Sequence, residues 1–391
     1  MDFNLLKTKL SSLLRGKDDR FLVVEILENS NRVAYIKANF DNKELKFIKT
    51  HTGPDLKKLL KKFGRLAQYK IILGLDSHLA TTIYSSVVLV RDRFKELIDE
   101  PELDNLISQA IWKFFDRQRS RVAVKMSTSD LDVVLSDVKI RGVRLDGHKV
   151  VNPVGFKAKT VEILFSQTFL LRQFAESLKD SLPINQVVFI SENGTAWANV
   201  IAKSEAAENF AVANIFPGKT LMFASSGSQN SYWDHFPWGE NNLNASLAAD
   251  LSVDSETAAK VIGLYNQGFI SVTFKRRVEA LLGRELQMLA NGIGQAIKKM
   301  DTNLVFVNPS FDLPAMFVAN FRGELGKPAQ LRLLDLDIIS KNFGFDIKFK
   351  HTAQSKNSFG LLANVLEWYL APQDDRMSQM AKRRVRWLSP V

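Results

Sequence analysis

Cysteine is missing from this sequence altogether. Its absence removes disulfides, thiolate metal sites and cysteine nucleophiles together, and it fits a reducing compartment. No stretch approaches the ~20 consecutive apolar residues that a membrane span requires. The N-terminus lacks the apolar core and small-residue cleavage site of a signal peptide, so the expected location is the cytoplasmic side. Histidines stand only at 51, 78, 148, 235 and 351, none paired at ligand spacing. With no thiolate to help them, no metal site is expected. Neither a GxSxG elbow nor an HExxH helix occurs, so two common hydrolase signatures are also excluded.

The length of 391 residues is too great for one compact core, and two or three domains are expected. The formal net charge of +11 favours anionic contacts such as acidic lipid, acidic peptide or nucleic acid. A nucleic-acid role would rest on charge alone and is not expected.

Residues 1–17 read as an amphipathic N-terminal helix, with Phe3, Leu6, Leu10, Leu13 and Leu14 on one face. Strand-like runs at 21–27 and 33–38, with a third near Lys46, suggest an antiparallel meander. A helix opened by Pro54 and a strand over 69–74 follow. Residues 78–160 look like a small inserted α/β subdomain. In it, strands are expected at 84–91, 121–125, 132–141 and 160–165, with a helix over 102–115. Phe169, Leu170, Phe174 and Leu178 predict a helix over 168–182. A strand at 186–190 and a helix over 195–208 come next. Strands at 210–215 and 219–224 then repeat the hairpin that opens the chain, which suggests duplicated halves. Later helices are expected at 242–249, 255–264, 273–300, 315–319 and 359–370, and strands at 304–307 and 345–349.

Several motifs have a bland and a chemical reading. Ala213 to Thr220 nearly matches the phosphate loop GxxxxGK[ST]. The first glycine is alanine, however, and a strand follows where that loop needs a helix N-terminus. A hairpin turn at Pro217-Gly218 is expected instead. Asp130 and Asp132 are expected to face solvent. Tyr232, Trp233, Phe236 and Trp238 are expected to pack under a loop, with a binding loop as the alternative. In the tail, Met377, Ala381, Val385 and Leu388 share a helical face, flanked by Lys382, Arg383, Arg384 and Arg386. Apolar burial and attraction to acidic lipid would act together in such a helix. A disordered basic tail is the alternative.

Taken in order, these stretches resemble FtsA, a bacterial cell-division family of the actin superfamily. Residues 133–165 carry Asp146-Gly147 and Pro153-Val154-Gly155, similar to the passage that closes the family's inserted (SHS2-type) subdomain. Ser255, Glu256, Ala259, Lys260 and Gly263 look like a helix that touches adenosine in the family. Residues 358–370 are similar to the closing helix, and the basic tail with Trp387 to the membrane-targeting helix.

The resemblance implies an α/β, actin-like two-lobed fold with ribonuclease H-like halves. It divides the chain into 1–17 (amphipathic helix), 18–77 (opening segment of the first lobe), 78–160 (inserted subdomain), 161–205 (closing segment of the first lobe), 206–372 (second lobe) and 373–391 (basic tail). It implies ATP with magnesium, with Glu25, Asn214, Gly218, Lys219, Thr220, Glu256, Lys260 and Asn308 as the nucleotide-binding positions. It also implies self-association, an FtsZ-like partner and attachment to the inner face of the cytoplasmic membrane. Lys382, Arg383, Arg384, Val385, Arg386, Trp387 and Leu388 would touch the membrane. The three phosphate loops depart from the family pattern. The first reads Glu25-Ile26-Leu27-Glu28, which brings bulk and a second carboxylate toward the ligand. The second, Asn214 to Thr220, lacks the acid that would organise the metal. The third is Asn308-Pro309, where proline deletes an amide donor. The expectation is therefore a scaffold with degenerate ATP-binding loops and no catalytic residue. A PilM-like scaffold of pilus or secretion assembly, binding a peptide in a groove of the inserted subdomain, is the alternative. An ATPase with atypical loops is the third reading.

Overall fold

The computed structural model describes residues 18–27, 30–204, 209–226, 229–300, 302–314, 316–317, 330–334, 336–350, 358–371 and 376–388. The expected helix over 1–17, Glu28 and most of the expected helix at 315–319 lie outside the described residues. The chain divides into two units, one built on residues 1–193 with 339–354 and 361–391, the other on 194–338 with 355–360.

The first unit contains two sheets. Strands β1 (Asp19–Ile26), β2 (Asn31–Asn39) and β3 (Glu44–Gly53) form the expected antiparallel meander. Helix α1 (Leu56–Lys61) is capped by Asp55, whose side chain accepts from the Lys58 N–H. β4 (Lys70–Leu75) then pairs parallel with β1. The second sheet follows, formed by β5 (Ala80–Val90), β6 (Val133–Leu145), β7 (His148–Val150) and β8 (Thr160–Leu171) in the order β5-β8-β6-β7. Helix α2 (Glu100–Lys125) packs on it. Helix α3 (Arg172–Lys179) and β9 (Val187–Glu192) return the chain to the first sheet, where β9 pairs parallel with β4.

Helix α4 (Asn193–Ser204) opens the second unit. There β10 (Asn209–Ile215), β11 (Thr220–Ser226) and β12 (Gln229–Phe236) form another meander. Helices α5 (Glu240–Leu251), α6 (Ser255–Gln267) and α7 (Val272–Met300) follow, then β13 (Leu304–Pro309) and β14 (Gln330–Leu333). The order β12-β11-β10-β13-β14 repeats the order β3-β2-β1-β4-β9 of the first unit. In both, an antiparallel meander is extended by two parallel strands, so the duplication expected from the repeated hairpin is present. Helix α8 (Leu336–Phe343) leads to β15 (Asp346–Phe349), which extends the first sheet beside β3. Helices α9 (Phe359–Leu370) and α10 (Arg376–Leu388) end the described chain.

Burial explains these elements. Phe21, Leu22, Val23 and Val24 are all fully buried because β1 lies inside its sheet and is covered on both faces. Leu22 and Val24 pack with Leu59 and Leu60 of α1. Phe21 meets Trp368 of α9 at 4.7 Å between ring centroids, and Phe40 stacks on Tyr369 at 4.8 Å.

Two expectations are corrected. Residues 121–125 are not a strand but the last turns of α2. Val122 and Ala123 are buried there against the second sheet, so packing overrides their strand preference. Phe169 and Leu170 are not helical either. They belong to β8, a central strand held from both sides by β5 and β6, and the helix starts only at Arg172.

Candidate functional site

The expected nucleotide positions of the second unit gather around the β10–β11 turn. Asn214, at the end of β10, is buried. Its amide donates to the Gly194 carbonyl at 3.2 Å and its Oδ1 accepts from Asn308 at 2.9 Å. The turn that follows satisfies itself. The Phe216 N–H donates to the Lys219 carbonyl at 2.8 Å, and the Asn241 N–H donates to the Pro217 carbonyl at 2.8 Å. The Thr220 hydroxyl donates to the Trp238 carbonyl at 2.8 Å and is buried. Gly239 lies so close that an added Cβ would sit 2.1 Å from the Phe216 carbonyl oxygen. Phe216 itself is buried. A phosphate loop needs free amides around an open hollow. Here the hollow is filled by the start of α5, and Pro309 supplies no amide at all.

The remaining nucleotide positions do not fit phosphate either. Glu25 is buried in β1, where its carboxylate accepts from Arg32 at 3.2 Å. Burial pushes the Glu25 carboxyl up, against the pull of that guanidinium. Glu256 and Lys260 pair with each other at 2.8 Å on the exposed face of α6. Gly218 is exposed at the turn. Among the described residues, neither Glu25 in the first unit nor the expected positions of the second unit therefore offers a cradle for ATP and magnesium. Among the described residues, no cluster of three or more His, Asp or Glu could hold a metal ion. Trp238 is buried and Phe236 packs against the core of this unit, while the Tyr232 and Trp233 side chains lie outside the described residues. Asp130 sits in a short turn, where it accepts from the Ser120 hydroxyl.

The tail positions meet protein. Met377, Met380, Ala381 and Val385 of α10 are buried in the core formed by α2 and the β5–β8 sheet. Arg376 pairs with Glu100 and Arg384 with Asp104, both on α2. Of the apolar face read as lipid-seeking, Met377, Ala381 and Val385 are covered by the inserted subdomain. Of the cations assigned to membrane, Arg383 is exposed and Lys382 is half-buried. The side chains of Arg386, Trp387 and Leu388 lie outside the described residues.

That docking creates a site which sequence reasoning missed. A cavity of about 300 Å³ lies among β6, α3, β9 and α10. Val134, Leu170, Leu178 and Val187 line its apolar part, and Val385 of the tail closes one side. Polar groups converge at its edge. Irregular register on both sides of Asp137 and Lys139, at Ser136 and Arg141, marks two bulges in β6. Lys139 lies 3.6 Å from Asp137 and 3.4 Å from Glu367, donates to the Ile190 carbonyl at 3.2 Å, and sits 3.7 Å from the Phe189 ring centroid. The Ser191 hydroxyl donates to Glu367. Burial pushes the Asp137 carboxyl up, opposed by the ammonium groups of Lys139 and Lys382. Among the described residues β9 pairs only with β4, at the end of its sheet, and its residues Val187 to Ile190 line the cavity wall. An apolar hollow beside an edge strand, with fixed charges at its end, is suited to an extended peptide.

No protein-family model matches the chain, and no curated protein sequence matches it. Solved structures do. A PilM–PilN type IV pilus biogenesis complex is similar with a TM-score of 0.53 at 12% identity, over 93% of this chain and 98% of that one. A Bacteroides thetaiotaomicron protein with an actin-like ATPase fold and unknown function gives 0.41 at 8% identity, over 84% and 96%. The ethanolamine utilization protein EutJ from Carboxydothermus hydrogenoformans gives 0.40 at 9% identity, over 85% and 90%. At such identities the likeness establishes the fold. The chain has the actin-like fold, with its duplicated sheets. The likeness does not point to FtsA specifically. Among the described residues, no helix is long and apolar enough to cross a membrane.

Proposed function

We propose that this chain is a PilM-like scaffold of type IV pilus or secretion assembly. In this reading it holds an extended segment of an inner-membrane protein in the groove between β6, α3 and β9. The observation that carries the reading is the groove itself, with an apolar wall, the edge strand β9 and the Asp137–Lys139–Glu367 network beside it. The fold shared with the PilM–PilN complex supports it. Main-chain bonds to an edge strand would give affinity, and the apolar hollow would choose the side chains. The membrane would be reached through the partner. Nucleotide plays no part in this reading, because the loops of the second unit are self-satisfied. FtsZ tethering loses its place as the leading role, since Met377, Ala381 and Val385 of the tail face that would have carried it are buried in protein.

The test is co-purification of the full-length chain from its host. A PilN-type inner-membrane protein should be recovered, and Ile184→Arg should abolish its recovery. Ile184 lines the groove and is 45% exposed, so the variant should fold. Recovery of FtsZ in place of a pilus protein would overturn the reading.

A further inference from the structure

A β-bulge decides which side chain faces the groove. In β6, Val134 belongs to the core that holds Leu73 and Leu178, and Leu135 to the core under α2. Strict alternation would send Asp137 to the α2 side with Leu135. The register slips between Leu135 and Asp137, so Ser136 is an extra residue and Val138 takes the α2 side instead. Asp137 is thereby turned to the same face as Val134, and both line the cavity.

One oxygen of this carboxylate lacks a donor. The Asp137 side chain is 13% exposed, and among the described residues its Oδ2 is buried without a hydrogen bond. Lys139 stands 3.6 Å away, near enough to balance charge but too far to donate a hydrogen bond. A buried acceptor left in this state is costly to keep. The charges that face Asp137 say which donor fits. Lys139 and Lys382 are cationic and Glu367 is anionic. An incoming cation would meet two ammonium groups, and an incoming carboxylate would meet Asp137 and Glu367. A neutral donor avoids both penalties.

We propose that Asp137 is the specificity-determining residue of the groove, and that the segment held there carries a neutral donor, a hydroxyl or carboxamide side chain, that bonds Asp137 Oδ2. The inference rests on the proposed peptide-holding role of the groove. Alternate side chains of an extended segment face the same way. The donor and the apolar side chains that fill the hollow beside Val134, Leu178 and Val187 therefore fall an even number of residues apart. A resident water is the competing donor, and it would leave the segment unconstrained at that position.

The probe is a phage-displayed library of random dodecapeptides, selected on the immobilised full-length chain. Wild type should enrich apolar residues at alternate positions, with Ser, Thr, Asn or Gln favoured at one position in register with them. Replacing that residue by Ala in a synthetic copy of the winning peptide should weaken binding about tenfold. Asp137→Leu should still take the apolar pattern, show no preference at the donor position and make the Ala replacement neutral. Asp137→Asn, which keeps the shape, should admit acceptor side chains there. If wild type enriches nothing beyond what Ile184→Arg enriches, the groove role falls and this inference with it. An apolar pattern with no donor position, a donor preference that survives Asp137→Leu, or one that does not relax in Asp137→Asn would overturn this inference alone.

Discussion

Arg384 of the final helix forms an ion pair with Asp104 of α2, 280 residues earlier in the chain. The pair pins a helix whose apolar face, Met377, Met380, Ala381 and Val385, fills the core of the inserted subdomain. The tail is thus a structural element of that subdomain and one wall of the groove.

Val385→Asp should accordingly destabilise the protein by about 2–4 kcal/mol, since it places an unpaired carboxylate in an apolar core. Thermal or denaturant unfolding of the full chain would measure it. A change under ~0.5 kcal/mol, within the range of ordinary surface substitutions, would mean the helix is not docked in solution.

The same docking bears on membrane attachment. Met377, Ala381 and Val385, three of the four side chains on the face that would enter lipid, are already buried, so anionic vesicles should bind the wild-type chain weakly and Val385→Asp no less strongly through Arg383 and its neighbours. Vesicle flotation at low and high salt reads this out. Strong wild-type binding that is lost when 376–391 is deleted, without loss of folding, would restore the lipid role for the tail.

Gly74 in β4 faces the side chains of two buried asparagines. An added Cβ would lie 2.1 Å from Asn364 Nδ2 and 2.3 Å from Asn193 Oδ1, which are themselves bonded at 3.0 Å. Gly74→Ala must push this pair apart in a packed interior, at a cost of about 1–3 kcal/mol. An unchanged unfolding midpoint would show that the asparagines can move aside freely.

How much of this was legible in the sequence depends on how local the cause is. The β1–β2 hairpin and its copy at β10–β11 could be read because each strand carries its own apolar run and its own turn. Residues 121–125 and 169–170 could not, because Val122 and Phe169 have neighbours supplied by distant strands. The amphipathic pattern of α10 was real, but a pattern of burial does not say whether lipid or protein does the burying. The groove was invisible for a related reason. Val134, Leu178, Val187 and Val385 come from four separate stretches, and only the fold brings them together. Asp137 and Lys139 left a faint trace, since Ser136-Asp137 interrupts the apolar alternation of β6.

Glu192 gives the last prediction. It is fully buried at the end of β9, accepting from the Ser77 hydroxyl at 2.7 Å and the Thr82 N–H at 2.6 Å. Burial pushes its carboxyl above the ordinary 4.5, and the Lys125 charge and these hydrogen bonds offset only some of that. A carboxyl with a raised folded-state value binds its proton more tightly in the native chain than in the unfolded one. Its contribution to stability is therefore most favourable below about pH 4.5 and declines as pH rises through the folded value. Gln at this position can keep an acceptor for Thr82 and donate to the Ser77 hydroxyl, with no charge to desolvate. Glu192→Gln should be at least as stable as wild type at pH 8, and the gap should close as pH falls toward 4.5. Denaturant unfolding across that range decides it. A variant less stable at pH 8, or a gap that does not change with pH, would show that the Glu192 charge is stabilised by its surroundings more than burial penalises it.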